Sequence, residues 1–550
     1  MGALFASLRL ERLGGSPAEL GCQPLFDPSG RFALLFDGRL DNREDLGIGA
    51  EESDAAAVLR LLSDGKWDFL DRFIGPWALL LLDLREREVH LARDPTGERM
   101  LCWRAGTDTI LIASEPADLP MGDFDEETLA AFFAVREPAP DATFFRDVKQ
   151  VPPGCRVTFP GERRHSFWNP DLSLLGWSEA DSAEAFRERL SAAVRAQLRA
   201  AGPATVLMSG GLDSTTVAAH AARFEKLRAV SWRFRELEGA DESEFAQAMM
   251  TAAGLEPVWV DGDGCWPMRH QSDADPSHPF ENPYRELHAA AFSAAAQGGA
   301  RALLTGHFSD EMYHGIDAWW LRDCLARGEW AAARRGLRDE LRWGSRPEVW
   351  TPGLRRALGV LALGPAWERL RALRTPSWLI PAARKTLRNR QPPPARHPEQ
   401  AQTLLAPFAM MGIAVEMRRA RHHGVELRFP FRDRRLIELA LRLPADHLAR
   451  PGWRKRLVWL AGEGWLPDAV RLRRRMSDLG PLFARGIGER EHETVRSLLF
   501  GEGPGLWRRW VDPAMLERFL DTASTGGSGL PTLVFWRCLA AELWARMLRK

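Results

Sequence analysis

Residues 209–214 read Ser-Gly-Gly-Leu-Asp-Ser and follow directly on the apolar run Thr205-Val-Leu-Met208. This order predicts a strand, a tight loop, and then a helix starting near Asp213. Two successive glycines let the backbone turn sharply and bring its N–H groups close to an anion. The following helix adds the positive end of its dipole. Asp213 carries negative charge into that same loop, which makes sense where a cation such as Mg²⁺ shares the site. Gly-Gly alone would read as an ordinary turn with a Ser cap. The whole hexamer behind a strand reads as a phosphate loop, and ATP is its expected ligand.

The chain has 550 residues, too many for one hydrophobic core, so two or three domains are expected. Its 74 basic and 74 acidic residues cancel, and nothing global argues for nucleic acid. Cysteines stand at 22, 102, 155, 265, 324 and 538, without any metal-ligand spacing, which fits a reduced, cytoplasmic setting. No apolar stretch is long enough for a membrane span, and the N-terminus lacks the pattern of a signal peptide. The 22 tryptophans are expected mostly in cores and domain interfaces, with some lining a groove for a bulky substrate.

Up to about residue 120 the pattern is of short strands and turns. Strands are expected at Phe32–Phe36 (ending in the turn pair Asp37-Gly38), Trp77–Asp83, Glu88–Ala92, Met100–Trp103 and Leu111–Ser114, with a helix near Ala55–Ser63. This predicts a layered, mostly antiparallel domain. A helix over 125–134, a turn at 151–154 and an exit at 167–170 follow. After an amphipathic helix at 180–200, strands at 205–208, 228–234, 256–260 and 301–305 alternate with helices at 213–223, 241–253 and 285–298. That is a parallel α/β unit, whose ligands sit beyond the carboxyl ends of the strands. A second motif, Thr305-Gly-His-Phe-Ser-Asp-Glu311, follows the last strand and is expected to face the same crevice. Asp213 and Asp310 would then share Mg²⁺ on the ATP phosphates, although a lone Asp after a strand is usually a helix cap. Beyond it lie an Arg- and Trp-rich helical insert (316–375), a basic, proline-rich connection (384–398), a breaker region (522–529) and a final helix (532–548).

With these motifs in order, the chain resembles the asparagine synthetase superfamily over almost its full length. The resemblance is carried by Asp37–Asn42, Gly75–Ala78, Leu91–Gly97 and Ala113–Glu115 in the first part. In the second it is carried by Ser209–Ser214, Asp241-Glu242, Thr305–Glu311, Glu426–Asp433, Lys455 and Leu466-Pro467. It implies an α+β, Ntn-hydrolase or glutaminase-like layered domain over 1–175. An α/β ATP-pyrophosphatase (PP-loop) domain with large helical additions is implied over 176–550. It also implies that Leu207, Ser209, Gly210, Gly211, Asp213, Ser214, Thr305 and Gly306 line the nucleotide. Lys455 would steady the triphosphate and the leaving pyrophosphate, with Arg454 and Arg456 as competitors for that role.

Two departures narrow the reading. The family's glutaminases use a cysteine at position 2, and this chain has Gly2; the family's glutamine-gripping Asn-Gly is Asp37-Gly38 here. The first domain therefore resembles a glutaminase fold without its nucleophile, and the amine is expected to come from elsewhere. β-Lactam synthetases and lasso-peptide macrolactam cyclases are similar in this respect. Where β-lactam synthetase places a Tyr–Glu pair, this chain has His307 and, on a later helix, Glu416, with Glu426 as a fallback. A His–Glu pair could take the proton of an attacking amine; alternatively His307 packs and Glu416 is a solvated helix residue. Phe308-Ser309 stands where the family has a small pair, and Trp459 where an Arg is common.

The resulting expectation is a macrolactam synthetase that adenylates an Asp or Glu side chain of a ribosomal core peptide and closes an isopeptide bond with the peptide's α-amine. A leader peptidase and a leader-recognition protein would be its partners. The alternatives are β-lactam-type closure on a small substrate and ammonia-dependent asparagine synthesis; a non-enzymatic scaffold is the reading outside enzymes.

Overall fold

The computed structural model describes residues 4–7, 23–107, 109–199, 202–270, 273–313, 324, 328–343, 375–388, 405–449, 455–473 and 477–549. Gly2, Cys22, Arg454, most of the 316–375 insert and the 389–398 stretch lie outside them.

The first part is four layers deep. A six-stranded sheet has the order β10 (Arg163–Ser166), β9 (Cys155–Phe159), β5 (Glu88–Arg93), β4 (Trp77–Asp83), β3 (Phe32–Gly38), β2 (Leu25–Phe26). A four-stranded sheet has the order β1 (Leu4–Ser7), β7 (Ile110–Ala113), β6 (Cys102–Ala105), β8 (Lys149–Gln150). Side chains alternate across a strand, and here both faces are apolar. Phe32, Leu34 and Phe36 of β3 join Leu79 and Leu81 of β4 in packing under α1 (Asp54–Leu62). Ala78, Leu80, Leu91 and Val157 turn the other way and meet Trp103 and Ile112 of the second sheet. The far face of that sheet, with Cys102 and Ala113, packs on α2 (Glu126–Phe133). Ser53 and Asp125 start the two helices by accepting the N–H groups of Ala56 and Thr128.

Asp37-Gly38 is not a hairpin turn. It lies inside β3, where Gly38 pairs with Trp77, and a Cβ at Gly38 would stand 2.4 Å from the Pro76 carbonyl oxygen. The dipeptide's turn propensity yields to strand pairing. Strands β9 and β10 lie just beyond the 151–154 turn, in a stretch whose polar arginines hide the strand period.

The second part is a five-stranded, all-parallel sheet in the order β13 (Glu256–Asp261), β12 (Arg228–Arg233), β11 (Ala204–Leu207), β14 (Ala302–Thr305), β15 (Glu426–Arg428). Val206 and Leu304 face α3 (Glu179–Leu198), α4 (Leu212–Ala221) and α5 (Ser243–Ala253). Leu207, Leu303 and Leu427 face α6 (Arg285–Gln297) and the helix Pro407–His422. The chain runs outward from β11 to β13 and returns to β14 on the other side of β11. The crevice between β11 and β14 is thus a topological switch point. Of the insert, a helix Trp330–Trp343 is described; the basic stretch begins inside a helix, Pro381–Arg388. The helix Pro513–Ser524 runs into the expected breaker region, and the last helix spans Leu530–Met547. None of the described helices is long and apolar enough to cross a membrane, and Cys102, Cys155, Cys265, Cys324 and Cys538 are free thiols.

The two parts share one core. Leu129, Phe132 and Phe133 of α2 pack with Phe408, Met411, Trp507, Trp536 and Trp544. Beside this apolar contact is a buried ionic one. Glu426 at the start of β15 receives Arg428 at 2.9 Å, Arg99 at 2.8 Å and Arg39 at 3.4 Å. Burial opposes its charge, but the three guanidiniums hold its carboxyl well below the usual range. Truncating one partner of such a cluster leaves the others buried and unbalanced. Glu426→Ala is expected to destabilise the protein by about 3–5 kcal/mol, seen as a lowered thermal midpoint. Asp123→Ala, which removes an exposed partner of Arg146, should cost less than about 1 kcal/mol.

Glu98, also between the parts, has the opposite character: burial pushes it up to about 7 against the pull of Arg432. A carboxyl whose pKa rises on folding contributes its full stability below its unfolded value and loses it as pH rises to the folded value. Thermal stability should therefore carry a downward component between about pH 4.5 and 7 that Glu98→Gln removes; an unchanged slope in that variant would refute the assignment to Glu98.

Candidate active site

The phosphate loop is built by serines and excluded volume. Ser209 N–H donates to Ser214 Oγ at 3.1 Å, Gly211 N–H donates to Ser209 Oγ at 3.2 Å, and the two hydroxyls lie 3.0 Å apart. A Cβ at Gly210 would stand 2.7 Å from the Glu242 carbonyl oxygen and 2.8 Å from Phe245 Cβ, so α5 seats directly against the loop. Gly210 N–H donates to Glu242 Oε2 at 3.1 Å, and Arg473 holds the other carboxylate oxygen at 2.8 Å. Glu242 thus occupies a donor of the loop, a contact that the motif alone did not reveal.

Leu207 and Thr305 end β11 and β14 side by side and are buried. Gly306 then crosses the first turn of α4: a Cβ there would stand 2.4 Å from Ser214 N and 2.7 Å from the Asp213 carbonyl carbon. The two motifs are in contact, as their places in the sheet imply.

Lys455 lies between their carboxylates. Its Nζ pairs with Asp213 Oδ2 and lies 2.6 Å from Asp310 Oδ1. Burial disfavours the ammonium, but Asp213 and then Asp310 outweigh it and raise its pKa. For Asp213 the balance goes the other way, and burial raises the carboxyl despite Lys455. Arg456 turns away to Glu179 at 2.8 Å, leaving Lys455 as the residue of that basic run that reaches the two carboxylates among those described. Lys455 has φ 51° and Phe308 has φ 75°, left-handed conformations unusual for such side chains. Both flank this one site.

The acidic pair fits Mg²⁺. Asp213 Oδ1 is buried with no hydrogen bond, Asp310 is half exposed to the crevice, and both offer the oxygen donors that the ion requires. Among the described residues no three His, Cys, Asp or Glu side chains cluster as a metal site. Two carboxylates completed by substrate phosphates is the usual arrangement for this ion.

His307 and Glu416 do not hydrogen-bond to each other; His288 stands between them. Glu416 Oε2 lies 3.2 Å from Nδ1 of His288, on α6, and the His288 ring stacks on His307 at 5.8 Å between centroids, 26° apart in plane. The packing of α6 against the 407–422 helix puts His288 in the place beside Glu416 that the sequence suggested for His307. A single histidine on this helix, Arg-Glu-Leu-His at its start, gave no signal of this. His307 itself is open to solvent. Surrounding protein and then His288 pull its imidazole below the ordinary pKa, an effect that its contact with water tempers. Burial opposes the charge on Glu416, but the His288 hydrogen bond and the neighbouring His288, Arg419 and His307 together outweigh it and lower that carboxyl. Glu426, the fallback, belongs to the domain interface and not to this cluster.

The asparagine synthase family matches residues 185–546, and the glutamine amidotransferase domain matches residues 3–168. Amidase chry2 of Gibberella zeae is 28% identical over 349 residues, covering 57% of this chain and 51% of its own. Amidase chyE of Penicillium rubens is 26% identical over 333 residues, covering 54% and 49%. The chain thus spans about half the length of these two relatives. The glutamine-hydrolyzing asparagine synthetase 1 of Bacillus subtilis is 21% identical over 526 residues, covering 89% of this chain and 82% of its own. With an N-terminal glutamine amidotransferase domain and more than half of its length inside the second match, the chain belongs to the asparagine synthase family.

Proposed function

We propose that the protein is an ATP-dependent ligase that closes a macrolactam in a ribosomal peptide, joining an Asp or Glu side chain to the peptide's own α-amine. The observation that carries the reading is Lys455 held between Asp213 and Asp310 at the switch point, with His307 in the same loop as Asp310. Members of the family are ATP-dependent amide-forming ligases that release AMP and pyrophosphate. Two features favour an amine that does not come from glutamine: residue 2 is Gly, and Asp37 lies 3.8 Å from Arg99 while Arg39 binds Asp41 at 2.8 Å. Ion pairs thus occupy the groups around the Asp37-Gly38 position.

In the first step a substrate carboxylate oxygen attacks the α-phosphorus of ATP, and the bond to the β-phosphate bridge breaks. The Ser209–Ser214 loop and the start of α4 hold phosphate oxygens, and Lys455 stabilises charge on the departing pyrophosphate. Mg²⁺, held by Asp213 and Asp310, would supply further charge neutralisation. In the second step the amine nitrogen bonds to the acyl carbon, the acyl–phosphate bond breaks, and AMP leaves. The amine proton passes to the imidazole cluster that opens on the crevice at His307. The substrate would be a core peptide freed of its leader, with a leader peptidase and a leader-recognition protein as partners. The B. subtilis relative, aligned over 89% of this chain, supports small-substrate amide formation as the second reading.

The test is the intact mass of a core peptide incubated with the protein, those partners and Mg-ATP, with AMP measured alongside. One water lost per AMP formed is expected, and ¹⁵N from amide-labelled glutamine should not enter the product. AMP formation from Asp alone with ammonia, and an unchanged peptide, would favour the second reading. Lys455→Ala and Asp310→Ala are each expected to lower the adenylation rate about 10²–10³-fold while the fold is kept. Near-normal pyrophosphate release in both variants would refute the assigned site.

A further inference from the structure

Nδ1 of His288 has two competing neighbours. Asn282 Nδ2 stands 3.0 Å away and Glu416 Oε2 stands 3.2 Å away. The Asn282 amide is oriented by its Oδ1, which accepts the Tyr284 N–H at 2.9 Å, so it presents a donor to the ring. Glu416 presents an acceptor. A ring nitrogen can satisfy only one of them at a time: without a proton it accepts from Asn282, and with one it donates to Glu416. Each protonation state of Nδ1 therefore has a partner in place. The ring is further fixed by stacking on Trp232 at 5.8 Å and 15°, in addition to its stack on His307. Arg419, 3.8 Å from Glu416 Oε1 and bound through its other nitrogen to Glu281 at 2.6 Å, is the charged group on the far side of the carboxylate.

We propose that His288 is a positioning residue for the amide-forming step, through which the charge of Glu416 reaches His307, the imidazole that meets the substrate amine. This rests on the ligase reading above. Glu416 hydrogen-bonds His288 and not His307, while His288 lies against the ring that opens on the crevice. With Nδ1 donating to Glu416, the neutral His288 ring leaves the carboxylate's charge uncancelled behind the His307 ring, where it favours the proton that His307 takes. His307 then meets the amine as a free base. As the nitrogen–acyl bond forms and AMP leaves, the proton is taken by His307 and released to the crevice.

The test is a double-mutant cycle on His288 and Glu416. The full-length protein is assayed for adenylation, as pyrophosphate release, and for amide formation in single turnover. His288→Ala is expected to slow amide formation about 10²-fold, with the loss falling on kcat of that step rather than on adenylation or KM. Glu416→Gln is expected to slow the same step at least tenfold in the native background and less than twofold in the His288→Ala background. His288→Asn, which restores a donor in the Nδ1 position, should recover at least tenfold over His288→Ala, a rescue that mere packing would not give. If Glu416→Gln costs as much without His288 as with it, the carboxylate acts on His307 or substrate directly and the proposal is overturned. Equal losses in both half-reactions would mark His288 as merely structural and also overturn it. Absence of adenylation in the native protein, with carboxylate peptides and small amino acids alike, would overturn the ligase reading and this assignment with it.

Discussion

The close crossing of Gly306 over the first turn of α4 is the constraint on which the rest of the site depends. No side chain fits there, because its Cβ would overlap the Ser214 nitrogen. That crossing brings two loops from adjacent parallel strands to within backbone contact. Asp213 and Asp310 then lie close enough for one ammonium to bridge them. His307, the next residue after Gly306, is carried to the same rim. A parallel sheet with its switch point between β11 and β14 provides the crevice, but the absent Cβ sets its width.

The first domain lacks a cysteine at position 2, yet it is not a detachable remnant. Its α2 supplies phenylalanines to a core whose other half is the C-terminal helices, and Arg39 and Arg99 supply two of the three cations around Glu426. Removing the domain would expose a large apolar face and leave Glu426 with one guanidinium. Gly97 shows how tight the seam is: a Cβ there would stand 2.2 Å from Met410 Sδ, across the interface. The first domain's fold is thus part of the core that the second depends on.

Much of this was legible in the sequence, and the exceptions share a cause. The alternation over 205–305 gave four of the five strands of the parallel unit and the helices between them within a few residues, because buried parallel strands are short apolar runs; β15, only Glu-Leu-Arg, has no such run and was missed. Lys455 was separable from Arg454 and Arg456 only through the resemblance; the structure adds the reason, since Arg456 points to Glu179. Asp37-Gly38 misled because turn propensity is local and strand pairing is not. His288 was invisible because its meaning arises from the packing of α6 on the 407–422 helix, a contact between residues 128 positions apart. Motif spacing records what lies along the chain and says little of what packing brings together.

The two left-handed residues at the site show which requirement outranks backbone comfort. Glycine would adopt φ 51° at position 455 or φ 75° at position 308 without penalty, and non-glycine residues held in this region cost on the order of 1 kcal/mol or more. Lys455 starts the helix Arg456–Ala461, and its N–H donates to the Tyr313 carbonyl at 3.2 Å. Its backbone is thereby tied to the end of the helix that begins at Ser309, while its ammonium reaches back to Asp310 at the start of that helix and to Asp213 at the start of α4. A glycine would relieve the backbone and remove the cation that, among the described residues, bridges the two carboxylates. At Phe308 the same turn lets the ring pack on Phe429 at 5.0 Å and under the Arg432 guanidinium at 4.6 Å, which braces the segment between His307 and Asp310. The strain goes with placement in both cases: at 455 with an ammonium held between Asp213 and Asp310, and at 308 with a ring held between Phe429 and the Arg432 guanidinium.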